Sequence, residues 1–392
     1  MQNLDIELVN RFVLEKHHLT QRSKLDNIIQ ITRDLLGLHA TMATTPYLTL
    51  FSRTNNFTKE QLDEEIYKNR NLIKVRFVRK TMHLVLRDML PIVHGAMKRT
   101  LEHDAEQYLE ALGIDEKRYM MNTLQIQRLL THGGKTTAEI KKETGLGINT
   151  SPILNLMCDT GLLIRETTSD SWKSNIHNYY ILNQYLPDTT IDGVEEFNAK
   201  MAITTQYLAT FGPVTLNDIL WWTGFRKSEV KSMFHIIQDR ITQIKITGLN
   251  DEYYIFNSDL NQLHEFEIEK EDVINMLPGL DPYIMGFKDR ERYLDPKYYN
   301  SVFDRSGNGT TTILQNGRII GIWDITEAPE RVIKLYFFNK VQKGSLTKIK
   351  KTAQKLGRFI TDKDVKVIEC ENMTPLPDRT AGGFMTPLRD CR

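Results

Sequence analysis

The most constraining feature of this sequence is a ten-residue pattern that occurs twice. The segments TTAEIKKETG (136–145) and TLNDILWWTG (215–224) share the pattern T-x-x-[DE]-I-x-x-x-T-G, with their first threonines 79 positions apart. In each copy the threonine can cap a helix, the acid three positions later can complete a capping box, and the glycine can end the helix. Ile140 and Ile219 would face the core. The pattern therefore predicts two equivalent short helices.

Similar sequence follows both copies of the pattern. Each is succeeded by a short helical segment, SPILNLMCDTG or RKSEVKSMFHII, and then by strand-like sequence. A helix, a tight turn, a second helix and a β-hairpin is the order of a helix-turn-helix with a wing. Two unrelated helical hairpins with good caps are the alternative. We therefore predict an α+β fold that contains tandem winged-helix units.

The flanking regions extend this architecture in both directions. The segment LIKVRFVRKTMHLVL (72–86) follows helical sequence and predicts two strands, which is again the order of a winged helix. In the C-terminal third, ILQNGRII predicts a hairpin around its Asn-Gly turn, and SLTKIKKTAQKLGRF predicts an amphipathic helix capped by Ser345. The predicted domains are an N-terminal winged-helix unit, two further winged helices and a C-terminal mixed β/α domain, at residues 1–112, 113–188, 189–260 and 261–392.

Composition restricts the class of protein. Hydrophobic residues make up 40% of the chain and charged residues 26%, as in ordinary globular proteins. The N-terminal sequence lacks the basic and apolar regions of a signal peptide, and no apolar run reaches the ~18 residues of a membrane span. We therefore predict a cytoplasmic protein with no membrane contact. We further expect a monomer with no obligate protein partner.

Because the net charge is only +1, affinity for nucleic acid would have to come from local basic segments. One such segment, LIKVRFVRK (72–80), contains Lys74, Arg76, Arg79 and Lys80. The other, residues 331–361, contains nine Lys or Arg and no acidic residue. Such charges supply most of the affinity for DNA through phosphate contacts, although solvated surface is the alternative. Together with winged-helix units, these segments predict that the chain binds nucleic acid.

Five segments in order, spanning about residues 35–323, resemble the winged-helix DNA-binding family that includes the AlkZ and YcaQ (AlkX) DNA glycosylases. These segments are LLGLHATMATTPYLTLFSR, LIKVRFVRKTMHLV, YLATFGPVTLNDILWWTG, LPGLDPYIMGFKDRER and ILQNGRIIGIW. The resemblance implies a concave, positive surface for duplex DNA and hydrolysis of N-glycosidic bonds to alkylated bases, including bulky or crosslinked ones. The DNA-binding residues predicted within these segments are Arg53, Arg76, Arg79, Lys80, His83, Arg290 and Arg292.

In those glycosylases the catalytic motif is Gln-x-Gln or Gln-x-Asp, and here His39-Ala40-Thr41 occupies the corresponding positions. Neutral His39, with an ordinary pKa near ~6.5, could orient a water molecule and accept its proton, so activity would be lost at acid pH. Thr41 could hold the same water or the sugar, and Asp281 could stabilise the oxocarbenium-like sugar. The alternative is structural: His39 would satisfy the end of the preceding helix, Thr41 would cap the next turn, and Asp281 would open a turn.

The predicted catalytic residues are therefore His39, Thr41 and Asp281. The sequence predicts no cofactor and no metal, because its histidines and cysteines lack the spacing of a metal site. The predicted function is a DNA glycosylase-like hydrolase that acts on duplex DNA. The alternative is a winged-helix DNA-binding protein or transcriptional regulator without catalytic activity.

Overall fold

The computed structural model describes residues 2–147, 150–376 and 388. The N-terminal part contains β1 (Gln2–Leu4), α1 (Ile6–Lys16), α2 (Ile28–Asp34), β2 (Leu38–His39), α3 (Thr44–Arg53), α4 (Lys59–Asp63), β3 (Leu72–Arg76), β4 (Met82–Leu86) and α5 (Leu90–Ala111). The middle part contains α6 (Glu116–Leu130), β5 (Lys135–Thr136), α7 (Thr137–Thr144), α8 (Thr150–Asp159), β6 (Leu163–Thr167), β7 (His177–Ile181), α9 (Leu182–Tyr185), α10 (Glu196–Phe211), α11 (Leu216–Thr223), α12 (Lys227–Ile236), β8 (Ile241–Ile246) and β9 (Tyr253–Phe256).

The C-terminal part contains α13 (Asn257–His264), β10 (Ile274–Leu277), α14 (Pro282–Met285), α15 (Tyr299–Val302), β11 (Thr312–Gln315), β12 (Arg318–Thr326), β13 (Val332–Phe337), α16 (Lys343–Thr361) and β14 (Lys366–Glu369). The predicted α+β class is confirmed by this mixture of helices and sheets. Except for Leu388, the segment of the predicted C-terminal domain after residue 376 lies outside the described residues. None of the described helices is long and apolar enough to cross a membrane.

Both copies of the repeated pattern fold as predicted. The side chain of Thr136 accepts a hydrogen bond from the Glu139 amide, and the Glu139 carboxylate accepts one from the Thr136 amide, which together form a capping box at the start of α7. Thr215 and Asp218 form the same capping box at the start of α11. Each helix ends at a glycine in the left-handed region, with φ of 71° and 74°. These local predictions are confirmed because the residues that determine them are neighbours in sequence.

A six-stranded sheet connects the N-terminal and middle parts of the chain. Its strand order is β2-β4-β3-β6-β7-β5, so β3 and β4 lie beside the β6–β7 hairpin. The row of directly paired residues Leu38, Leu84, Lys74, Arg165, Tyr179 and Lys135 crosses all six strands. Direct partners in an antiparallel ladder project from the same face of a sheet, so this row defines one face. The neighbouring row, which begins with His39 and His83, projects from the opposite face.

The predicted C-terminal hairpin and helix are both present. Asn316 and Gly317 form the turn between β11 and β12, both with positive φ, in a sheet of order β10-β11-β12-β13-β14. Helix α16 buries its apolar stripe against this sheet. The predicted cap is wrong: the N-cap is Gln342, and Ser345 lies inside the helix, where its hydroxyl donates a 2.7 Å hydrogen bond to Asp272.

The connection between β3 and β4 packs against α11. Phe77 lies edge-on to buried Trp222, with ring centroids 5.9 Å apart, and Trp222 also packs against Tyr207 and Phe211 of α10. This aromatic cluster anchors a one-turn 3₁₀ helix, Val78–Lys80, between the two strands. The basic end of the β3–β4 ribbon therefore has a fixed position beside α11.

Candidate active site

A tight backbone turn brings His39 into the six-stranded sheet. Helix α2 ends at Asp34, and the chain reverses through Leu36 and Gly37, which have φ of 58° and 99°. A Cβ atom at Gly37 would lie 2.8 Å from the Leu84 carbonyl oxygen, so glycine is required at this close approach. His39 therefore lies on strand β2. The expectation that it closes the preceding helix is wrong, because the helix ends five residues earlier.

His39 lies directly opposite His83 of β4, and their ring centroids are 4.8 Å apart. His39 Nδ1 accepts a 3.5 Å hydrogen bond from the Thr41 amide, so in the neutral ring the proton is on Nε2. His83 Nδ1 lies 3.1 Å from the Thr81 carbonyl oxygen, so it carries the proton and its Nε2 keeps a lone pair. Neither Nε2 atom makes a hydrogen bond with a residue that the structure describes. The pair thus presents one donor and one acceptor.

Both rings are neutral at pH 7. Burial, followed by the nearby His83 and Arg79, lowers the pKa of His39 well below 6.5, and only 6% of this residue is exposed. Burial lowers the pKa of His83 to about 4, with Arg79 adding to the shift and the hydrogen bond to the Thr81 carbonyl opposing it. An unshifted histidine titrating near pH 6.5 is therefore the wrong description of His39, because desolvation disfavours its charged form.

Thr41 follows β2 and is exposed, so its hydroxyl is accessible to a ligand while its amide holds His39. Arg79 lies in the 3₁₀ turn with φ of 52°. Its guanidinium lies 4.0 Å from the centroid of the Trp221 ring, and Nη2 donates a 3.1 Å hydrogen bond to the Ser306 carbonyl. Burial and the nearby Arg290 lower the pKa of Arg79 to about 10, which leaves it charged at neutral pH. A half-buried cation therefore lies close to the histidine pair.

Two other predicted DNA-binding residues have acidic partners. Lys80 is exposed and forms an ion pair with Asp104 of α5. Arg76 is half-buried and forms a bidentate pair with Asp159 at the end of α8. These acids are 24 and 83 residues away in sequence, so no local pattern could identify them. The position of Trp221, whose ring lies against the Arg79 guanidinium, could not be predicted from sequence patterns either.

Arg53 and Asp281 form a fully buried ion pair, with both side chains 0% exposed. The two guanidinium Nη atoms each donate a 2.8 Å hydrogen bond to one carboxylate oxygen, and Asp281 also caps α14 by accepting from the Tyr283 amide. The predictions that Arg53 contacts DNA and that Asp281 contacts the sugar are therefore wrong. Neither side chain has any surface to offer, and each neutralises the other.

Arg290 and Arg292 are also buried. Arg290 donates to the Phe287 and Gly307 carbonyls and to the Tyr299 hydroxyl, and its guanidinium lies 3.5 Å from the Phe303 ring centroid. Arg292 donates a 2.6 Å hydrogen bond to Asn10. Their predicted phosphate contacts are wrong because both side chains are buried. Arg290 bonds to two backbone carbonyls and a hydroxyl, whereas Arg292 bonds to the Asn10 side chain, packs on Phe287 and leaves Nη2 buried without a hydrogen-bond partner among the described residues. Within the described ranges, no group of three or more His, Cys, Asp or Glu side chains could hold a metal ion.

Comparisons with known proteins agree on the fold and the family. The model of the family described as DNA glycosylase AlkZ-like matches residues 32–359. A curated Streptomyces sahachiroi protein named Interstrand DNA cross-link repair glycosylase is 23% identical over 138 residues, which cover 34% of this chain and 36% of that protein's length. The solved structure of Streptomyces sahachiroi DNA glycosylase AlkZ matches with a TM-score of 0.76 and 16% identity, over 94% of this chain and all of that one. At this identity the structural match establishes the fold alone.

Proposed function

The chain belongs to the AlkZ-like DNA glycosylase family, and from this premise we propose that it hydrolyses N-glycosidic bonds to alkylated bases in duplex DNA. The observation that carries the proposal is that His39, which the resemblance aligns with the family's catalytic motif, lies directly opposite His83, with one ring nitrogen able to donate and the other able to accept. The name of the curated relative supports bulky or crosslinked adducts as part of the substrate class. We further propose that the chain acts as a monomer, which sizing in solution would test.

The chemistry requires little activation of the leaving group. A purine alkylated at N7 or N3 is already cationic, so the C1′–N bond can break with its electron pair moving to the base and neutralising it. The oxocarbenium-like sugar that remains must be met by a water molecule, as in glycoside hydrolysis. In the proposed mechanism, His39 Nε2–H donates a hydrogen bond to the water oxygen, and His83 Nε2 accepts one of its protons. Thr41 holds the water or the sugar from the exposed side.

The low basicity of His83 suits this role. Water that attacks a sugar cation becomes strongly acidic as the C1′–O bond forms, so a weak acceptor is sufficient. A protonated imidazole would repel the same cation. Burial and Arg79, which lower the pKa of His83 to about 4, therefore keep the pair neutral over the physiological range. The expected rate of base release is constant from pH 5 to 8 and falls only towards pH 4.

The DNA would be held by the basic turn of the β3–β4 ribbon and by winged-helix units. Both repeated patterns lie in the same element order: α6-α7-α8-β6-β7 and α10-α11-α12-β8-β9. In each case the residues just before the capped helix pair with the last strand, through β5 and β7 in one unit and Val214 and Tyr254 in the other. This order supports winged-helix units with the boundaries predicted above. Arg79 and Lys80 are the proposed phosphate contacts.

The test uses duplex oligonucleotides that contain N7-methylguanine, N3-methyladenine or an interstrand crosslink, followed by heat or alkali to reveal abasic sites. Variants His39→Ala and His83→Ala should each slow base release by about 100-fold, the usual contribution of acid–base groups, with affinity for undamaged duplex retained. His132→Ala, an exposed histidine after α6, is the matched control and should equal the wild type.

Three results would count against the proposal. Equal release by the wild type and both active-site variants would remove the proposed roles of the histidines. A rate that falls with a midpoint near pH 6.5 would indicate a histidine with an unshifted pKa. Duplex binding without release of any of the three lesions would favour the alternative, a non-catalytic DNA-binding protein.

A further inference from the structure

A second cluster of cationic side chains lies on the face of the six-stranded sheet opposite His39. Lys74 of β3 and Arg165 of β6 are direct partners, and they form the one paired position between these two strands. Both side chains project from the face that carries Leu84, whereas His39 and His83 project from the other. Two buried cations therefore meet at the seam that joins the β3–β4 ribbon to the β6–β7 hairpin.

Neither cation has a carboxylate partner among the described residues. Lys74 and Arg165 are only 6% and 7% exposed. Lys74 Nζ donates a 3.1 Å hydrogen bond to the Thr167 hydroxyl, and Arg165 Nη1 donates a 2.8 Å hydrogen bond to the Asn155 side-chain oxygen. Arg165 Nε and Nη2 are buried without any hydrogen-bond partner, as is Nε2 of neighbouring His177.

The nearest acids are already engaged. Glu166 forms a hydrogen bond with the Tyr185 hydroxyl, and Asp159 forms the bidentate pair with Arg76. The Cys158 thiol also lies beside Arg165, and burial raises its pKa, so it remains neutral. Burial and Arg165 lower the pKa of Lys74 to about 8, which still leaves it mostly charged at pH 7. Burial disfavours the charged form of Arg165, but Cys158, Tyr179 and Asp159 act against burial and raise its pKa. Even so, neither cation has an ion-pair partner of its own among the described residues, and two such buried cations side by side are unfavourable.

Lys74 and Arg165 border a cavity of about 30 Å³. At about 10–15 Å³ for one water, this volume accepts two or three water-sized atoms, so two or three of the four oxygens of a tetrahedral oxyanion would enter it from the solvent side. Thr167 and Ser171 line the same cavity together with Glu166 and several apolar and aromatic side chains. The Glu166 carboxylate accepts a hydrogen bond from the Tyr185 hydroxyl, and Ser171 is exposed, so the cavity borders solvent. We propose that this cavity is a binding site for a phosphate-type oxyanion, held between Lys74 and Arg165.

The ligand would be inorganic phosphate or a phosphate group of the DNA backbone, which share this chemistry. The anion would accept hydrogen bonds from the unpartnered Arg165 nitrogens and from Lys74. Its negative charge would neutralise these two cations where strands β3 and β6 meet. The proposal does not depend on the proposed glycosylase activity. It describes a second site on the opposite face of the sheet from the histidine pair.

The first experiment titrates inorganic phosphate into the full chain at constant ionic strength, with chloride as the balancing anion. Calorimetry should detect one phosphate per chain, and the thermal midpoint should rise to a plateau. Arg165→Gln and Lys74→Met should each weaken the apparent affinity about tenfold or more, the usual effect of losing a charge-assisted hydrogen bond. Lys135→Gln is the matched control: it lies in the same row of the sheet but pairs with Glu143, so it should bind as the wild type does.

A second arm distinguishes the two sources of the anion. If the site takes a backbone phosphate, saturating phosphate should compete with an undamaged duplex in the wild type, and the Lys74→Met and Arg165→Gln variants should lose that competition. If it takes free phosphate, duplex and phosphate should bind independently. Absence of stoichiometric binding to the wild type would overturn the proposal even if a variant failed to fold. Equal phosphate effects in wild type, Arg165→Gln and Lys135→Gln would also overturn it.

Discussion

Replacing Arg53 by methionine should cost the protein about 3–5 kcal/mol of unfolding free energy. Arg53 and Asp281 are both 0% exposed and share two 2.8 Å hydrogen bonds. Methionine has a similar apolar stem, so the loss arises chiefly from the Asp281 carboxylate, which would remain buried without its counter-charge. The third hydrogen bond of the guanidinium, 3.0 Å to the Thr49 carbonyl, would also be lost.

Urea-induced unfolding at pH 7, followed by circular dichroism, measures this loss. The matched control is Arg33→Met, because the Arg33–Asp88 pair has a similar distance of 2.7 Å but lies at the surface, with the side chains 43% and 62% exposed. Its removal should cost less than about 1 kcal/mol, since solvent screens exposed pairs. The two variants thus separate the effect of burial from that of the ion pair itself.

A double-variant cycle tests the cause of the loss. Arg53→Met combined with Asp281→Asn removes both charges, so the double variant should be more stable than the two single losses would predict when added together. A loss below about 1 kcal/mol in Arg53→Met would refute the argument from burial. If Arg53→Met bound undamaged duplex more weakly at unchanged stability, this would indicate a direct contact between Arg53 and DNA, which its burial argues against.

Three further predictions concern pH, helix caps and the C-terminal hairpin. Because the pKa of His83 is about 4 in the folded chain and near ~6.5 when unfolded, the unfolded state binds the extra proton between these values, so stability falls as pH falls through this window. Relative to His83→Asn, the wild type should lose about 3 kcal/mol of unfolding free energy between pH 7 and pH 4, and an unchanged difference across this range would contradict the shifted pKa. Thr136→Ala should lower the free energy of unfolding by about 1 kcal/mol, because the helix loses its cap. Thr215→Ala should lower it by about 2–3 kcal/mol, because buried Thr215 also donates a 2.6 Å hydrogen bond to Asp289. Equal losses for the two variants in urea-induced unfolding would contradict this difference. Gly317→Ala should lower the free energy of unfolding by about 1–2 kcal/mol in the same assay, because φ at this position is +81° and the new Cβ would lie 2.9 Å from the Tyr283 hydroxyl oxygen. An unchanged free energy of unfolding would show that the turn can relax.

Burial of charge is where sequence-based prediction failed most clearly. Arg53, Arg290 and Arg292 were predicted as DNA contacts within the segments that resemble the glycosylase family, and all three lie inside the protein. Arg53 is neutralised by an acid 228 residues away. No pattern along the chain carries this information, because a buried ion pair depends on which distant segments the fold brings together.

His39 shows the same limit of sequence-based prediction. Its place in the family-like motif is evident from the sequence, whereas its catalytic role and a role for His83 near the site stay predictions. The lowering of its pKa could not be predicted, because it comes from burial and from the nearby His83 and Arg79. Those contacts exist only after β2 has paired with β4.

The sequence by itself determined the capped helices, the Asn-Gly hairpin, the α+β class and the family resemblance, because each depends on residues within about ten positions of one another or on their order. The tertiary structure alone decided which charges are buried, which histidines are neutral, and that Lys74 and Arg165 meet without an ion-pair partner of their own among the described residues. Electrostatic free energies depend on distance and solvent exposure in three dimensions, and separation along the chain fixes neither.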